Sequence, residues 1–135
     1  IRFDNFCRRV VAKTKPREFH IRWAFQTALN HGQREIYHML VYLNKARGKI
    51  RPDVAGLLHS TKEGFLLLKK AYETKDLELL EDLHRKEHEL VYKKGYALLG
   101  RNADAVLVHH IISAMRDFYL AASPLTTLLL GASAD

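Results

Sequence analysis

The chain has 135 residues, 47% apolar and 27% charged, a length and balance that give one domain with its own core and exclude wholesale disorder. Seven Gly, three Pro and a single Cys disfavour a loop-rich all-β fold and exclude an internal disulfide framework or a Cys-rich zinc module. The net charge of +7 is unevenly placed: residues 1–52 hold 12 Lys and Arg against Asp4, Glu18 and Glu35, a net of +9, whereas residues 53–135 hold 10 against 12 Asp and Glu, a net of −2.

Taken in chain order, the pattern predicts helices only. Asp4 to Thr14 reads as a short capped helix with Phe3, Phe6, Cys7, Val10 and Thr14 on one stripe, and Lys15-Pro16-Arg17 as a joint, since the residue before proline avoids the α region. So short a helix is marginal in water and needs a partner surface. Glu18 to Ala46 forms the next helix, with Ile21, Phe25, Leu29, Gly32, Ile36, Met39, Leu40 and Leu43 inward. Arg47 to Pro52 is a loop, with Gly48 a C-terminal stop and Pro52 a first-turn residue. Asp53 to Glu73 follows, burying Val54, Leu57, Leu58, Thr61, Phe65, Leu68 and Tyr72. After Thr74-Lys75-Asp76 comes Asp76 to Leu99, with Leu80, Leu83, Leu90, Val91, Ala97 and Leu98 inward and Glu87 inside the same stripe. After Gly100-Arg101-Asn102, a helix from Ala103 turns Leu107, Val108, Ile111, Ala114, Met115, Phe118 and Ala122 inward until Ser123-Pro124 breaks or kinks it. The tail Leu125–Leu130 is unusually apolar for a chain end.

Long helices with short connections predict an all-α antiparallel four-helix bundle over residues 18–135, preceded by a basic helical arm over residues 1–17. No apolar run approaches the roughly 18 residues of a membrane span. No secretory signal is visible, and a start at Ile1 without Met reads as processed or trimmed.

Eight histidines raise the question of a metal. Glu35 with His38, His59 with Glu63, and His84 with His88 have helical ligand spacing. His59 and Glu63 point away from the apolar stripe, and His84 and His88 lie at or beyond its edge. Solvated polar faces and one buried, partnered Glu87 are therefore the expectation, with no metal and no cofactor. His109 and His110 diverge by about 100° as neighbours on a helix, so they are expected not to share a site. No Gly-rich phosphate loop or nucleophile elbow is present, and Cys7 sits on an apolar stripe that favours packing over reactivity. No enzyme is expected.

The positive signal is cationic. Arg2, Arg8, Arg9, Lys13, Lys15, Arg17 and Arg22 precede or open the first long helix; Arg34, Lys45, Arg47, Lys49 and Arg51 continue along it and into the loop. Lys and Arg contacts to phosphates bind nucleic acid through counterion release, without reading sequence, and this is the partner the arm is expected to meet; an acidic protein, a membrane surface or a merely solvated face are the alternatives. Zinc-finger, basic-zipper and RNA-recognition signatures are absent.

In size, basic arm and helix count, and in the ending Phe118-Tyr119-Leu120-Ala121-Ala122 through Thr127-Leu128-Leu129-Leu130-Gly131, the chain resembles the major nucleocapsid proteins of filamentous, rod-shaped archaeal DNA viruses. The resemblance implies a virion protein, passing through the host cytoplasm during assembly, that packages double-stranded DNA in a helical filament. The arm would grip phosphates, and the apolar tail would contact copies of itself, a paralogous coat subunit or a lipid envelope. No small-molecule substrate is implied. The stretch from Asp76 to Leu90, with the helix that follows it, is also similar to half of a PhoU-like regulatory bundle. The Glu-x-x-x-Asp metal motif of that family is replaced here by Arg116 to Leu120, so the alternative is such a bundle without a metal site.

Overall fold

The computed structural model of the chain describes the backbone of residues 2–13, 15–46, 48–101 and 104–132. The side chains of residues 2–4, 6, 7, 16, 17 and 132 lie outside the described set, and with them Asp4, Phe3, Phe6 and Cys7 of the arm's expected cap and stripe; Thr14 lies outside it altogether. Among the described residues all regular structure is helical. The elements are α1 (Arg2–Ala12), α2 (Pro16–Ala46), α3 (Pro52–Thr74), α4 (Glu78–His88), a π-helical segment (Glu89–Gly95), α5 (Tyr96–Gly100), α6 (Ala105–Leu120) and α7 (Ala122–Ala132).

Backbone chemistry sets the boundaries. Pro16 and Pro52 each open a helix, where a fixed φ is useful and a missing N–H costs nothing, so the joint expected at residues 15–17 ends before Pro16. Lys75, at φ 58°, closes α3 in the left-handed region, and the Asp76 carboxylate accepts the Glu78 N–H at 3.0 Å to start α4. Among the described side chains of α1, Val11 faces inward while Val10 is half exposed, a one-residue correction to the expected stripe.

The region expected as one regular helix from Asp76 to Leu99 contains the π-helical segment. In a regular α-helix Lys94 would fall in the centre of the stripe made by Leu80, Leu83, Glu87 and Leu90. The wider turn directs Lys94 outward, where it meets Glu89 at 2.8 Å, and puts Gly95 inward instead. The shifted phase also leaves Ala97 exposed, contrary to its expected inward place.

Ser123-Pro124 does not break the last helix where expected. The interruption comes at Ala121, and the helical hydrogen bonds Ala121 N–H to Asp117 C=O and Leu125 N–H to Ala121 C=O, both 3.2 Å, carry the chain into α7. Proline removes the bond to residue 120 and crowds its carbonyl, so the ladder yields one turn upstream of the ring. The apolar tail is partly consumed by this arrangement: α7 packs on α2, burying Leu125 and Leu129, while Leu120 and Leu130 stay exposed.

The core sits around α6, which contacts α2, α3, α4, the π-helical segment and α5, an arrangement compatible with a helical bundle. Three side chains of α6 press on three glycines. A methyl at Gly32 of α2 would collide with the Phe118 ring; one at Gly64 of α3 would lie 2.7 Å from Met115 Cε; one at Gly95 would lie 2.6 Å from Ile112 Cδ1. By contrast α2 and α3 barely touch. Leu40 and Phe65, expected in the core, are 54% and 38% exposed, and Tyr72 is also exposed although it stacks on Phe25 at 5.7 Å.

The close approach predicts opposite outcomes for two glycines. Gly32→Ala should lose about 1–2 kcal/mol of stability in urea melts, overpacking against a rigid ring outweighing the gain in helix propensity. Gly56→Ala on exposed α3, with nothing within 4 Å of the new methyl, should gain about 0.5–1 kcal/mol.

Candidate functional site

α2 rises about 45 Å over its 31 residues. Trp23, Arg34 and Lys45 are spaced by eleven, so at about 100° per residue they keep nearly the same direction, opposite to buried Gly32 and Met39. α1 packs on this outer side: the Arg8 guanidinium lies 5.1 Å over the Trp23 ring, which in turn lies 5.8 Å from Phe19. Cation–π contact of this kind fixes the arm against α2. Arg9, Lys13, Lys15, Arg34, Lys45 and Lys49 are exposed, and none of them forms an ion pair with a described residue.

The other expected cations divide. Arg22 is half-buried and held by Glu18 at 2.7 Å, one turn earlier on the same helix. Arg51 makes two bonds to Asp53, at 3.2 and 3.0 Å, and its hydrogen bonds hold the Asp53 carboxyl below the usual carboxylate range. These two are therefore engaged with carboxylates of the chain itself. The side chains of Arg2 and Arg17, and all of Arg47, lie outside the described residues.

Where α2 and α3 part, an apolar groove opens. Its largest cavity, about 520 Å³, is lined by Ile36, Met39, Leu40, Leu58, Phe65 and Phe118, and two more of about 480 and 280 Å³ continue it along Leu29, Phe25, Leu68 and Tyr72. Periodicity alone places these residues in the core, because it reports which face is apolar and not whether a neighbour closes over it.

On the opposite edge of α2, at its seam with α6, lies a polar cluster. His110 Nδ1 and a Glu35 carboxylate oxygen are 2.7 Å apart, both side chains mostly buried at 19% and 25% exposure. The His38 ring stacks on His110 at 6.0 Å, and the His109 ring meets His110 edge-on at 5.4 Å. Donor atoms of Glu35, His109 and His110 all fall within 4.8 Å of one another. The expectation that His109 and His110 diverge is corrected. Cβ directions on neighbouring residues do diverge, but imidazoles are long enough to swing back towards one group on the facing helix. The seam continues to Asp117, whose carboxyl burial pushes up, against the pull of His31 and with added repulsion from Glu35.

Of the remaining histidine pairs, His59 is exposed as expected, but Glu63, 3.4 Å from it, is half-buried and also takes Lys86 of α4 at 2.5 Å, so it faces that helix rather than open solvent. His84 stacks on Tyr119 and His88 packs on Tyr92. Glu87 is buried, at 3% exposure. Desolvation pushes its carboxyl above the usual range, offset in part by His84, Arg116 and His88.

A raised folded-state pKa means that the folded protein binds this proton more tightly than the unfolded chain, so Glu87 lowers stability as pH rises above the ordinary Glu value. Glu87→Gln should therefore melt at a higher temperature than the parent at pH 7 and at the same temperature near pH 4, read by thermal circular dichroism. No helix among the described residues is long and apolar enough to cross a membrane. Comparison with family models, with curated proteins and with solved structures found no match to this chain.

Proposed function

We propose that the protein is a structural, non-enzymatic coat subunit that packages double-stranded DNA by sequence-independent phosphate contacts and assembles into a helical filament. On this reading it belongs to the virion, as the resemblance to archaeal viral nucleocapsid proteins implies. The supporting observation is that the basic arm and the long helix behind it both carry exposed cations that no described carboxylate engages. Arg34 and Lys45 share the outer face of α2 with the Trp23 ring against which Arg8 of α1 lies, and Arg9, Lys13 and Lys15 are exposed on and just after α1.

The reading takes the helical segments as an antiparallel four-helix bundle carrying an arm: α2, α3, α4 through α5, and α6 through α7. Gly32 set against Phe118 and Glu35 against His110 support opposite directions for α2 and α6. Such a bundle gives a stiff mount, about 45 Å long, for a row of positive charges. Of the twelve cations expected to touch phosphate, Arg22 and Arg51 drop in rank, because each would first have to leave a carboxylate of its own. Assembly would draw on the apolar surface left open at Leu40, Phe65, Leu120 and Leu130.

About five phosphate contacts, from Arg9, Lys13, Lys15, Arg34 and Lys45, predict a log–log salt dependence of duplex affinity with a slope of about −4.5, measured by fluorescence anisotropy. The double variant Arg34→Glu/Lys45→Glu should shallow that slope by about 2 and weaken all duplex sequences alike. An affinity indifferent to salt, or one unchanged by the double substitution, sinks the proposal. Electron micrographs should show filaments when duplex DNA is present and none without it.

A further inference from the structure

We propose that Glu35, His109 and His110 form a binding site for a divalent transition-metal ion of the zinc class, clamped across the seam between α2 and α6. Two imidazoles and a carboxylate are a donor set suited to such ions, and their donor atoms already converge within 4.8 Å. Ligand atoms on a tetrahedral zinc sit about 3.3 Å apart, given bond lengths of about 2.0–2.1 Å. The 2.7 Å approach of Glu35 to His110 would open slightly, and the exposed His109 would swing inward.

The surroundings are those of a site rather than of a solvated face. Glu35 and His110 are mostly buried at the most extensive helix–helix contact of the molecule, where apolar side chains would pack without the desolvation cost of a polar pair. His38, three residues beyond Glu35 on the same helix, stacks on the His110 ring and fixes its plane, the kind of outer support that orients a ligand. Three protein donors leave a fourth position, on the exposed His109 side, for a water molecule. The ion would tie α2 to α6 near the middle of both, and its role is separate from phosphate binding on the outer face of α2.

The test is titration of zinc chloride into untagged, chelator-treated full-length protein by calorimetry, with cobalt(II) as a visible probe. One ion per chain is expected, with the intense d–d absorption of a four- or five-coordinate cobalt. His109→Ala, an exposed position whose described ring contact is the edge-on one with His110, should weaken zinc at least tenfold, and Glu35→Gln, which can still accept a hydrogen bond from His110, should do the same. His59→Ala on α3 should bind as the parent does. Absence of saturable uptake, the pale spectrum of six-coordinate cobalt, or unchanged affinity in His109→Ala would each overturn the assignment. So would a loss of binding in His59→Ala, which would place the ion elsewhere. Should Glu35→Gln fail to fold, the His109→Ala result and the cobalt spectrum decide.

Discussion

The molecule depends on how closely α6 can approach its neighbours. Ile112, Met115 and Phe118 step around that helix by three residues at a time, and each seats on a glycine: Gly95 of the π-helical segment, Gly64 of α3 and Gly32 of α2. A side chain at any of these glycines would push its helix outward by the width of a methyl group. Packed interiors do not absorb such a shift without strain. The π-helical segment belongs to the same constraint, because its extra residue per turn exchanges Lys94 for Gly95 at the point where Ile112 arrives. What looks like an irregularity in one helix is the adjustment that lets a regular one stay central.

Two consequences follow for the faces that α6 does not cover. Drawn separately onto α6, α2 and α3 are held apart from each other, and the wedge between them becomes the apolar groove floored by Phe118. The outer side of α2 carries the arm near Trp23 and, further along the same face, the exposed cations Arg34 and Lys45. The polar seam of Glu35, His38, His109 and His110 occupies the remaining edge of the same helix. One long helix therefore presents apolar, cationic and metal-type chemistry in three directions.

Helix identity was readable because it rests on local spacing. The inward rows of the last helix, Leu107, Val108, Ile111, Ala114, Met115, Phe118 and Ala122, are all buried, and Glu87 is buried within its row. Properties that depend on a second helix were not readable. Periodicity marks Leu40 and Phe65 as apolar but is silent on whether α2 and α3 close over them. A stripe drawn at a constant angle cannot register the extra residue that turns Ala97 outward. The histidine cluster was hidden by a rule about Cβ directions that does not bind long side chains. Its one available sign in the sequence is the helical pair Glu35 with His38, whose partners on the facing helix only the tertiary fold supplies.

The charge asymmetry bears on stability as well as on binding. Cations within a Debye length of about 8 Å repel one another at physiological ionic strength. Arg9, Lys13 and Lys15 crowd a single short arm, and no described residue of the chain forms an ion pair with them. Arg22 and Arg51 show the alternative that the chain itself employs, a carboxylate one turn or two residues away. Surface pairs of that kind contribute little, so their scarcity on the arm is no large loss, but the repulsion is a standing cost to the free protein. A short helix that is marginal alone, held by the Arg8–Trp23 contact and by buried Val11, becomes ordered most favourably when a polyanion offsets that cost. On the proposed function, arm docking and phosphate binding would be two faces of one equilibrium, with α2 as the surface for both.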